Sequence, residues 1–104
     1  MLSATANFHT EHGSRYLQQL CKHFAHKIDV TFDERHGECR FSCGTAVLDA
    51  DAGVLRIRTI APDAAQLEET RDVIETHLMR FAFREPAVLE WVPTNPPANE
   101  AGTS

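Results

Sequence analysis

Thr45-Ala46-Val47-Leu48-Asp49-Ala50-Asp51-Ala52-Gly53-Val54-Leu55-Arg56-Ile57-Arg58-Thr59-Ile60 is the stretch that decides the fold. In its second half Leu55 and Ile57 oppose Arg56 and Arg58, the period of two of a half-buried strand. Asp51-Ala52-Gly53 supplies the turn residues of a hairpin between Thr45–Ala50 and Val54–Ile60. Upstream, Ile28–Asp33 places Val30 and Phe32 on one side, and Glu38–Ser42 places Cys39 and Phe41 opposite Arg40. The turn Glu34-Arg35-His36-Gly37 joins these two, with Gly37 expected at positive φ, and Gly44 marks the next turn. Four strands this close together, with no helix between them, form an antiparallel meander. Leu2, Ala4, Ala6 and Phe8 alternate with polar residues, which adds a strand before them.

Two helices flank the meander. Ser14 reads as the N-cap of a helix over Arg15–Lys27, with Tyr16, Leu17, Leu20, Cys21 and Phe24 on one arc. Arg15, Gln19, Lys22, His23 and His26 fall on the other side. Asp63, with Gln66 three residues on, opens the second helix as a capping box. Leu67, Thr70, Ile74, Leu78 and Phe81 form its buried stripe, with Glu68, Asp72, Glu75 and Met79 opposite. Pro86 stops it near Arg84, because a residue before proline avoids the helical region. Val88–Val92 adds a short last strand, with Trp91 over one end of the core. The predicted fold is α+β, an antiparallel four- to five-stranded sheet in the order β-α-β-β-β-β-α. Two single-stripe helices cover only one sheet face, and the face bearing Arg40, Arg56 and Arg58 is left open.

Composition narrows the function. The chain has 104 residues, 42% apolar and 24% charged, and a mean hydropathy of -0.32. That is one domain with one core, assigned to residues 1–92, and a proline-rich disordered tail over 93–104. Three cysteines argue against a disulfide-stapled secreted scaffold, and no run is apolar and long enough for a membrane span. The first ten residues lack the character of a signal peptide, so the expected location is cytoplasmic. A net charge of -5 and a pI near 5.6 weigh against a nucleic-acid partner.

The charge is unevenly spread. From His12 to Lys27 there are three basic residues and no acidic one, while from Thr45 onward ten acids face five arginines. The first helix is read as positive and the second as negative. The basic face therefore gives the candidate ligand-binding residues, Arg15, Gln19, Lys22, His23 and His26, for an anionic small molecule or an acidic protein surface. His23 and His26 stand at i, i+3, but two histidines do not make a zinc site. Cys39, Cys43 and His36 lie close in sequence, yet buried free cysteine more often behaves as a small apolar residue. No nucleophile elbow, zinc-protease helix or phosphate loop is present, and no catalytic residue, metal or cofactor is expected.

The run Ser14–Lys27, with Phe41, Gly44 and Arg80-Phe81-Ala82-Phe83-Arg84-Glu85, resembles the bacterial domain-of-unknown-function family 2218. The resemblance implies an accessory role linked to iron and siderophore metabolism, with a siderophore-interacting reductase as partner. The element order resembles half of the TATA-binding-protein-like fold, which does not by itself transfer function. Two readings follow: a binding module that uses the basic helix, and a homo-oligomer that uses the open sheet face around Val47.

Overall fold

A computed structural model describes residues 1–82, 84 and 89–93. The elements are β1 (Leu2–Phe8), α1 (Gly13–Phe24), β2 (Asp29–Phe32), β3 (His36–Arg40), β4 (Thr45–Asp51), β5 (Val54–Ala61), α2 (Ala64–Phe81) and β6 (Val92–Pro93). The six strands form one sheet in the order β2-β3-β4-β5-β1-β6, and every neighbouring pair is antiparallel. The expected strand–helix–four-strand–helix order holds, with a sixth strand added at the β1 edge. Val92 pairs with Thr5 and Pro93 with Ala4. Of the described residues in the last strand expected over Val88–Val92, only Val92 is strand, and Val88 lies outside the described residues. The break placed at Pro93 falls inside β6, while the rest of the tail lies outside the described residues. Proline fits there because β6 is an edge, where a missing N–H costs no ladder bond on the outer side.

Register explains the two faces. Ala46, Leu48, Ala50, Leu55, Ile57, Thr59 and Cys39 are buried on one side, because side chains alternate along each strand. Both helices lie on that side. α1 sets Tyr16, Leu17, Leu20, Cys21 and Phe24 over β3 and β4; α2 sets Leu67, Thr70, Ile74 and Leu78 over β5 and β1. Each fully buried leucine among them stabilises the fold by roughly 1.5–3 kcal/mol. Ala4 and Ala6, weak strand formers, are buried at 2% and 1% exposure; Ala4 packs with Leu67 of α2. Met79, assigned to the outer face of α2, instead packs partly buried against the core, as does Phe81. Thioether and ring reach the core from the flank of a helix that lies close to its neighbour.

Helix ends differ from expectation for local reasons. α1 starts at Gly13 with His12 as N-cap, and no side chain caps it. Ser14 is already helical, and its hydroxyl donates to the Glu34 carbonyl at 2.6 Å while accepting from Gln18 Nε2 at 3.0 Å. It therefore ties the first turn of α1 to the β2–β3 connection. α1 closes at Phe24, where Lys27 and Ile28 both donate to the Phe24 carbonyl and turn the chain toward β2. For α2, Asp63 caps as expected: its carboxylate accepts from the Gln66 backbone at 2.9 Å and from Gln66 Nε2 at 3.1 Å. The Gln66 side chain thus bonds the cap carboxylate, unlike a capping box, where it returns to the cap N–H.

Two glycines do different work. Gly53, at φ 80°, is the positive-φ residue of the two-residue β4–β5 connection. Gly37 is not at positive φ; it lies in β3, where a Cβ would stand 2.6 Å from Cys21 Sγ. Hydrogen at that position lets α1 descend onto β3. Cys21 and Cys39 meet there, both buried, with their sulfurs 3.9 Å apart. Gly37→Ala should therefore destabilise the fold by about 1–3 kcal/mol in urea unfolding. Adding Cys21→Ala should recover part of that loss. If the two changes are simply additive, the contact is not what excludes a side chain at residue 37.

Candidate functional site

Contacts between the helices show that they run antiparallel. His23 of α1 meets His77 and Phe81 of α2, at ring-centre distances of 5.0 and 6.0 Å, while Arg15 shares a groove with Phe81 and Arg84. The groove, about 380 Å³, is lined by Arg15, Tyr16 and Gln19 from α1 and by Phe81 and Arg84 at the end of α2. It continues into a cluster of rings: Phe24 is 4.9 Å from both His77 and Phe41, and edge-on to Phe41.

All five sequence-predicted residues are exposed. The fold brings three of them to the groove or its margin: Arg15 and Gln19 line it, and His23 adjoins it through Phe81. Lys22 is on the helix surface outside this lining, and His26 falls in the turn after α1. Sequence reasoning missed the contribution of α2. Its acids Glu68, Glu69, Asp72 and Glu75 occupy the first two-thirds together with Arg71; His77 and Arg80 follow, and Arg84 lies just beyond its end. α2 is therefore net negative, as read from the sequence, with its acids gathered toward its N-terminal part. The signal was available in the order of its charges, but only the antiparallel packing gives it meaning.

The charged residues of the groove lining, Arg15 and Arg84, are both basic. α1 has no acidic residue in its first turn to balance the N-terminal dipole, and Arg15 adds a charge of the same sign. Desolvation, then His77, Lys27, His26 and Arg80, hold the His23 imidazole below its ordinary value. His77 donates from Nδ1 to the Val73 carbonyl at 2.8 Å, which leaves its Nε2 as the free ring nitrogen. On the other flank of α2, Glu75 is taken by the Trp91 indole, which donates to its carboxylate at 3.1 Å.

The cysteine cluster does not assemble. Cys39 faces the core beside Cys21; that contact and burial push its thiol up and keep it neutral. Cys43 is buried against α2, where the Thr70 hydroxyl donates to its sulfur at 3.3 Å. His36 is on the opposite side of the sheet. Among the described residues, no group of three or more His, Cys, Asp or Glu side chains could hold a metal ion.

The open sheet face is charged, and its charges are mostly paired within the sheet. Arg40 bridges Asp29 at 3.1 Å and Glu38 at 3.0 Å, His36 bonds Asp49 at 2.7 Å, and Arg56 stands 3.8 Å from Asp51. Val47 and Ile60, half-buried, sit among them.

A family model described as an uncharacterised protein conserved in bacteria, DUF2218, matches residues 5–92. The chain is also similar to a protein of known structure, described as the NMR structure of PA4090 from Pseudomonas aeruginosa. The two share 29% identity at a TM-score of 0.73, over 90% of this chain and 96% of the other. No curated protein matches. Among the described residues, no helix is long and apolar enough to cross a membrane.

The His36–Asp49 pair has a pH signature. The hydrogen bond that its Nδ1 donates to the Asp49 carboxylate raises the affinity of His36 for its proton. The pair therefore stabilises the fold below the ordinary imidazole pKa of about 6.5, and the contribution fades as pH rises through the raised value. With side chains 53% and 45% exposed, it is worth at most about 1 kcal/mol. Asp49→Asn should lower the urea midpoint at pH 5.5 and leave it near the parent's at pH 9. Equal losses at both would mean that packing, not charge, joins the two.

Proposed function

The chain belongs to DUF2218, a family of uncharacterised proteins conserved in bacteria, and we propose that this member is a non-enzymatic module that binds a small anion between α1 and α2. The observation that carries this reading is the meeting of Arg15 and Gln19 with Arg84 across the groove, on a chain whose net charge is -5. A positive concavity on an acidic protein concentrates anions locally and repels them elsewhere. The Arg15 guanidinium and the Gln19 amide supply donors that carboxylate or phosphate oxygens accept, and Arg84 adds its positive charge to the same wall. Phe81 and the buried ring of Tyr16 give the groove an apolar wall for the body of the ligand.

A ferric chelate bearing free carboxylates is one ligand of this class. That choice, like a cytoplasmic accessory role beside a siderophore-related reductase, rests on the family resemblance alone. The alternative of a homo-oligomer built on the open sheet face has less support. Arg40, Arg56 and His36 already have partners within the sheet, so burying that face would desolvate several ion pairs for little apolar gain.

Titration with citrate and with ferric citrate, followed by amide chemical shifts, should give saturable changes at Arg15, Gln19 and the end of α2. Affinity should fall as salt rises, as expected for partly exposed charges. Arg15→Ala and Arg84→Ala should each weaken binding ~5-fold, the scale of one exposed charge contact. Binding of the double variant as tight as the parent's would end the proposal. Sedimentation at micromolar concentration separates the alternative, since a stable dimer with shifts confined to the sheet face would favour it.

A further inference from the structure

His23 is placed where an arriving anion would change its charge. Its ring is exposed at the margin of the groove, 6.0 Å from Phe81, which is itself part of the lining. The titratable and charged groups acting on it are Lys27 and His26 from the turn after α1, and His77 and Arg80 from α2. Phe24 and Phe81 pack against it edge-on. Every charged or titratable neighbour in that set is basic, so a second proton-borne charge there is resisted while the groove is empty. An anion in the groove offsets part of that positive charge and lowers the resistance. Binding that favours the protonated form must take up protons, and proton uptake must in turn tighten binding.

Resting on the groove reading above, we propose that His23 makes anion capture proton-linked: the imidazole takes up its proton more readily when the groove is filled than when it is empty. The module then holds its ligand more tightly in mildly acidic medium and more weakly as pH rises. His36 cannot contribute, since it lies on the opposite side of the sheet with Asp49.

Sulfate is the suitable probe, because it keeps its charge across the whole range. At constant ionic strength, its dissociation constant should fall ~5- to 10-fold between pH 7.5 and pH 5.5, the Coulombic scale for one added charge beside a dianion in water. The His23 ring resonances should titrate at a higher pH with sulfate present than without it. His23→Gln should flatten the pH dependence, and His36→Gln should retain it. Sulfate binding that is equally tight at both pH values, or an unmoved His23 titration, would overturn the proton linkage while leaving the groove intact. Absence of sulfate shifts in the groove at either pH would overturn the groove reading and this inference with it.

Discussion

Everything in this molecule follows from a shortage of cover. The sheet alternates apolar and polar side chains on every central strand, so it has one face that must be buried. The chain supplies only two helices with single apolar stripes to bury it. Both must therefore lie side by side on the same face, and their exposed flanks must meet. The groove between α1 and α2 is the consequence of that meeting.

Close approach sets how deep the cover sits. α1 reaches β3 because Gly37 offers no side chain beneath Cys21, and α2 reaches β1 and β5 over Ala4 and Ala61. These are positions where local preference is poor: glycine and alanine are weak strand residues. The sequence accepts that local cost to bring larger residues such as Leu17, Leu20, Ile74 and Leu78 into one core. The same approach determines which outer residues face one another. Arg15 and Gln19 end up opposite Phe81 and Arg84 because the helices are antiparallel and near.

The two surfaces of the domain then differ in electrostatic character. On the sheet, opposite charges fall into cross-strand register: Asp29 with Arg40, and His36 with Asp49. Their fields largely cancel at short range. On the helices, basic groups gather around His23 without acidic counterparts among the groups acting on it. The proposed anion site rests on that contrast rather than on net charge.

Much of this was legible in the sequence. Period-two alternation in Val54–Ile60 marked the meander, the arc from Tyr16 to Phe24 marked the buried side of α1, and Asp63 with Gln66 marked the start of α2. Those features are local, and local patterns survive whatever the rest of the chain does. Gly37 was misread because sequence offers one common reason for a glycine before a strand, a turn, whereas the operative reason is a sulfur atom from a helix sixteen residues upstream. The basic face of α1 was also visible, but not its division: Arg15, Gln19 and His23 came to the groove while Lys22 and His26 did not. The sequence alone determined the elements, their inner faces and the positive helix. Tertiary structure alone decided that α2 contributes Phe81 and Arg84, because which side chains meet across two helices depends on their direction and separation, and neither is encoded in the periodicity of a single helix.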